Sequence, residues 1–175
     1  CPDCDGDGAA DHDEVHFAAA SDILSNIGTG VPQSLLLIAP PQARGEVTLR
    51  FTAQGDFRNV TEFAEIDISG TPVGVVFVNH ASDCNFMPDE ETLRVPAALF
   101  NQAIGSSNAV IRVNPSPDVS PNNLCGGVTY VTVFVEYDAI APDDVNENGF
   151  LDACEGDFDA DGDVDLADLG LFLPC

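Results

Sequence analysis

EVTLRFT at residues 46–52 and GVTYVTVFVEY at residues 127–137 decide the fold. In the first, Val47, Leu49 and Phe51 alternate with polar residues, so all three fall on one face of an extended chain whose side chains point to opposite sides in turn. The second is rich in β-branched and aromatic residues, and Tyr130 and Tyr137 lie on opposite faces of one strand. Outward from these, residues 34–39, 60–69, 73–79, 92–95 and 109–114 are short runs bounded by Gly, Pro, Asn and Asp, which read as strands. A brief helical turn is predicted at 96–104, where Pro96 can open it and Gly105 close it. About seven strands without long intervening helices predict a mainly β fold, a single β-sandwich over residues 31–140.

The chain has 175 residues, with 30 acids against 5 bases, a formal charge of −25 and 45% hydrophobic residues. Such an acidic balance repels phosphate backbones and anionic lipid headgroups, which excludes nucleic-acid and membrane-surface binding. The apolar residues concentrate between about 31 and 140, so the middle is expected to fold. Apolar runs such as Leu35-Leu36-Leu37-Ile38-Ala39 stop at strand length, short of the ~20 residues that span a bilayer, so no membrane insertion is expected. The first residue is Cys and already lies inside a motif, which points to a segment of a longer precursor. Six Cys in an acidic chain point to disulfides and to an extracellular or cell-surface location.

The acids cluster at the ends in a repeated register. Asp3-x-Asp5-x-Asp7-Gly8-x5-Glu14 fits the calcium loop in which side chains at positions 1, 3, 5, 9 and 12 and a carbonyl at 7 surround one ion, with Asp11 at position 9. The register returns in Asp144, Asn146, Asn148, Asp152 and Glu155, and again in Asp157, Asp159, Asp161, Asp165 and Asp168. Ala9, Phe150 and Asp163 would supply the carbonyls. Ca²⁺ is a hard cation that takes six to eight oxygens, and alternate residues of a tight turn point theirs inward while the Gly at position 6 makes the bend. Three matches predict about three Ca²⁺ per chain, with the Asn-containing second loop the weakest. Bound metal would neutralise clustered carboxylates that otherwise repel, so the ends are expected to order only with calcium.

Residues 157–173, DFDADGDVDLADLGLFL, resemble one half of a dockerin, a calcium loop followed by a short apolar helix. The loops starting at Asp144 and Asp157 leave no room for a helix between them, and in this they are similar to thrombospondin type 3 repeats, as is CPDCDGDG at residues 1–8. These resemblances cover only the ends and assign no family to the middle. A dockerin joins two adjacent loop-helix halves, whereas here the other unit lies at the opposite end. There, Val15, Phe17, Ala18, Ala19, Ala20, Ile23, Leu24 and Ile27 recur at helical spacing and stop at Gly28, which predicts an amphipathic helix after the first loop. The expected organisation is therefore residues 1–30 as a calcium loop plus helix, 31–140 as the sandwich, and 141–175 as tandem calcium loops with a short helix.

Cys84 and Cys125 are the cysteines of the sandwich and are expected to pair, closing a loop of about 40 residues for roughly 4 kcal/mol on the chain-entropy model. A bridge from Cys154 to Cys175 would clamp the third loop. Cys1 and Cys4 leave a vicinal bridge, a bond to another chain or lipidation of Cys1 all open.

No catalytic constellation is expected. His12 and His16 lie in and after the first loop, and His80 beside Ser82 and Asp83 is a local cluster at a polar loop tip. Asp83, Asp89, Glu90 and Glu91 lack metal-loop spacing and read as exposed acids. Asn59-Val60-Thr61 is a glycan acceptor triplet, which implies a surface position. With no Trp and two Tyr, an aromatic sugar platform is not expected, and the 11 Phe are assigned to the core. The leading expectation is a non-catalytic, calcium-stabilised structural protein that self-associates head to tail through its ends, Leu169, Leu171 and Phe172 meeting Val15, Phe17 and Leu24. The alternatives are an adhesion, carbohydrate-binding or dockerin-like module that recognises a surface glycan or cell-wall polymer, and a hydrolase fragment.

Overall fold

The computed structural model describes residues 16–78, 88–121 and 129–140. They form two antiparallel sheets built from β1 (His16–Ala20), β2 (Leu24–Ser25), β3 (Gln33–Leu37), β4 (Val47–Gln54), β5 (Ala64–Ile68), β6 (Thr71–Val76), β7 (Asp89–Val95), β8 (Ala109–Pro115) and β9 (Tyr130–Asp138), with one helix, α1 (Ala97–Ile104). The larger sheet runs β1-β9-β4-β7, with β2 also pairing β9, and the smaller runs β3-β8-β5-β6. The mainly β sandwich is as expected, and each of the seven predicted strands has its counterpart.

Alternation builds the core. Val47, Leu49, Phe51 and Ala53 of β4 and Val131, Val133, Val135 and Tyr137 of β9 turn inward, against Ala64, Ile66 and Ile68 of β5 and Ala109, Ile111 and Val113 of β8. Burying each large apolar side chain contributes about 1.5–3 kcal/mol, so these two inward rows are the main source of cohesion. The helix starts after Pro96 and ends at Gly105, whose φ of 60° suits a residue without Cβ. It lays Phe100 on Tyr137, ring centroids 4.9 Å apart, and Asn101 ties down Ala43 by Oδ1 accepting its N–H and Nδ2 donating to its carbonyl.

The chain after residue 15 corrects the expected amphipathic helix: residues 16–20 and 24–25 are strands. His16–Ala20 pairs with Phe134–Asp138, and Leu24 and Ser25 pair with Val131 and Tyr130. Between them Ser21 keeps the ladder, its N–H donating to the Val133 carbonyl (2.8 Å) and its hydroxyl accepting the Val133 N–H (2.9 Å). Three consecutive alanines favour helix locally by only tenths of a kcal/mol per residue. Leaving one side of β9 without partners would cost a row of buried backbone groups, so the tertiary demand prevails. Phe17 stacks on Tyr137 with ring centroids 4.9 Å apart. Phe17 and Leu24 are thus packed within their own sandwich, which removes the helical face that head-to-tail docking required.

Among the described residues no helix is long and apolar enough to cross a membrane.

Candidate functional site

The parity that buries Val131, Val133, Val135 and Tyr137 turns Tyr130, Thr132, Phe134 and Glu136 to the outer face of the larger sheet, where all four are half-buried. Register then sets their neighbours. Thr132 lies beside Thr52 and Thr52 beside Glu90, Phe134 beside Arg50 and Arg50 beside Thr92, Glu136 beside Thr48 and Thr48 beside Arg94, and Tyr130 beside Gln54. The Arg50 guanidinium sits 4.5 Å above the Phe134 ring centroid, and its Nη2 is 3.3 Å from Glu136 Oε2. A cation over an aromatic face at an exposed site contributes about 0.5–1 kcal/mol, enough to hold the arginine flat on the ring. At the end of the sheet Arg94 Nη1 reaches Glu46 Oε1 at 2.7 Å.

The result is a shallow depression of about 240 Å³ lined by Arg50, Thr52, Glu90, Thr92, Thr132 and Phe134. Tyr130 extends it along β9, roughly 14 Å from Phe134 at about 3.4 Å per residue. Arg50 and Arg94 offset part of the charge of Glu46, Glu90, Glu136 and Asp138 here, so this face mixes both signs in a chain of charge −25. Chemically it offers two planar surfaces for C–H contacts and, between them, hydroxyls, a guanidinium and carboxylates that both donate and accept hydrogen bonds.

This corrects the assignment of the phenylalanines. Phe51, Phe57, Phe77 and Phe100 are core residues, but Phe134 is on the outer face. The signal was in the sequence: Phe134 is four residues from Tyr130 and shares its parity. Tyr130 and Tyr137 do lie on opposite faces. Tyr137 is buried, donates its hydroxyl to the Pro41 carbonyl (2.7 Å), and burial pushes that hydroxyl well above the ordinary tyrosine range.

The loop acids from Asp3 to Glu14 and from Asp144 to Asp168, all six cysteines, and His12, His80, Ser82 and Asp83 lie outside the described residues. His16 is exposed at the start of β1, its Nδ1 3.3 Å from Asp138 Oδ1. The acids of β7 do not converge: Glu90 faces outward, whereas Glu91 lies on the opposite side and accepts the Phe77 N–H. Among the described residues there is no group of three or more His, Cys, Asp or Glu placed to hold a metal ion. Asn59 is on the surface, in a turn where its Nδ2 donates to Glu62 Oε1 (2.7 Å) and its N–H to Oε2 (2.8 Å).

No family model and no curated protein matches the chain. Among solved structures, a β-porphyranase of glycoside hydrolase family 86 from the human gut bacterium Bacteroides plebeius aligns at 16% identity and a TM-score of 0.48 over 71% of this chain and 20% of its own. The chain thus spans about a fifth of that enzyme's length. A family 35 carbohydrate-binding module from an environmental isolate aligns at 8% identity and a TM-score of 0.40, covering 70% of this chain and 80% of its own. A family 36 carbohydrate-binding module in complex with calcium and xylotriose aligns at 12% identity and a TM-score of 0.33, covering 68% of this chain and 86% of its own. At these values no functional residue is carried across.

Proposed function

We propose that the sandwich is a non-catalytic glycan-binding module of an extracellular protein, and that the outer face of the larger sheet is its binding surface. The observation that supports this reading is the Arg50–Phe134 stack in a hydroxyl-lined depression, with Tyr130 further along the same strand. A polysaccharide presents apolar C–H faces that lie on planar groups and equatorial hydroxyls that exchange hydrogen bonds with carboxylate, guanidinium and threonine. An extended, open face with carboxylates in excess of its two arginines suits a long neutral chain better than an anionic one. The calcium-loop spacing of the two ends supports about three Ca²⁺ per chain.

Native gel electrophoresis through soluble xylan, mixed-linkage β-glucan or galactomannan tests the reading. The full chain is expected to be retarded in at least one of the three, and Tyr130→Ala and Phe134→Ala each to weaken binding about tenfold, the equivalent of about 1.4 kcal/mol. Migration unaffected by all three polymers, or retardation indifferent to both substitutions, would refute it.

A further inference from the structure

The smaller sheet carries a second cleft on its own outer face, and the β5–β6 hairpin shapes it. Ser69 and Gly70, at φ 49° and 86°, make the tight two-residue turn that left-handed backbone allows. Past it the register runs Ile68 with Thr71 and Asp67 with Pro72, then Ile66 with Gly74, so that Val73 is an extra residue. A bulge of this kind bends its strand and interrupts the ladder. It opens a cleft of about 480 Å³ with one apolar wall, Pro72, Val73 and Val75, and one polar wall, Glu65, Asp67 and Asn114.

The polar wall is set in place by its own contacts. Asp67 Oδ2 accepts from Asn114 Nδ2 (2.7 Å), Oδ1 accepts the Gly70 N–H (2.8 Å), and Arg112 Nη1 stands 3.9 Å from Oδ2. Groups already ordered lose little entropy when a ligand arrives. Glu65, next on the same face of β5 and opposite Asn114, is exposed.

We propose that this cleft is a second saccharide site, taking a short neutral oligosaccharide, so that the module holds two glycan chains on opposite sides and bridges them. The choice of ligand class rests on the glycan-binding reading; the residues are independent of it. An apolar wall facing a hydrogen-bonding wall matches the two aspects of a pyranose ring, and hydrogen bonds from sugar hydroxyls to carboxylates are charge-assisted. Two carboxylates beside one guanidinium disfavour uronic acids and other anionic sugars. Two sites on one rigid body raise the avidity for a polymer above that of either alone.

Calorimetry on the full chain in calcium, with hexasaccharides of the polymer that retards it, separates the two sites. Two sites per chain are expected for the native protein, one after Phe134→Ala, and one after either Val75→Asp or Glu65→Ala, both at exposed positions. Combining Phe134→Ala with Val75→Asp is expected to abolish binding. Light scattering should rise when the native protein meets the polymer and stay flat for each single-site variant. One site per chain, abolished by Phe134→Ala and untouched by Val75→Asp and Glu65→Ala, overturns the second site and leaves the first. One site with the opposite dependence supports the second and refutes the first. A native protein that binds no hexasaccharide overturns both.

Discussion

Replacing Thr129 by valine tests whether the chain just after β2 is held beside the start of β9 as the structure shows. The Thr129 hydroxyl donates to the Ile27 carbonyl at 2.8 Å and accepts the Ile27 N–H at 3.0 Å, with both residues buried. Valine keeps the shape and leaves both backbone groups of Ile27 without that partner. Each buried group so orphaned costs about 1–3 kcal/mol, and the added buried methyl returns about 0.8 kcal/mol. The net loss expected is about 3 kcal/mol, a fall in melting temperature of roughly 6–12 °C for a chain of this size. Urea unfolding in calcium, followed by far-UV circular dichroism, should show the midpoint fall with an unchanged slope. Thr132→Val, on the outer face of β9, is the control and should shift stability by no more than about 0.5 kcal/mol. If Thr129→Val also stays within about 0.5 kcal/mol, the chain at Ile27 is not held beside the start of β9 as the structure places it.

Other outcomes follow from single residues. Burial raises the pKa of Tyr137 in the folded state above the value of about 10 for an unfolded tyrosine, so the unfolded chain loses that proton first. Stability from this residue is therefore complete below about pH 10 and declines above it by up to about 1.4 kcal/mol per pH unit, and alkaline melts of Tyr137→Phe should lack that component. A Cβ on Gly28 would lie 2.3 Å from Pro121 Cα, whereas one on Gly74 would meet the movable Leu93 Cδ1 at 2.7 Å. Thermal melts should accordingly show Gly28→Ala costing more than about 3 kcal/mol and Gly74→Ala about 1–2 kcal/mol, and the reverse order would contradict the packing. After desalting from millimolar calcium, elemental analysis is expected to find about three Ca²⁺ per chain, and less than one would dismiss the loop register as a metal signature. Chelator should leave the β-sheet melting transition in place, because the described core contains no calcium-loop residue.

The strands were legible in the sequence because a two-residue period is local. Once Val47, Leu49 and Phe51 share a face, the extended chain and its inward side follow from neighbouring residues alone. Pro96 and Gly105 mark the helix for the same reason, since each restricts backbone geometry at its own position. The same parity, carried along 130–137, reaches the aromatic face, for Phe134 must lie with Tyr130. What no local pattern contains is which strand needs a neighbour. Residues 16–25 satisfy a helical spacing and lie in strands because β9 presents a ladder edge that only another chain segment can complete, and the energy of those bonds exceeds the alanine preference for helix. The two clefts are tertiary in the same sense. One needs Arg50 of β4 laid over Phe134 of β9, strands separated by some eighty residues of sequence, and the other needs a bulge whose extra residue, Val73, is visible only once β5 and β6 are in register.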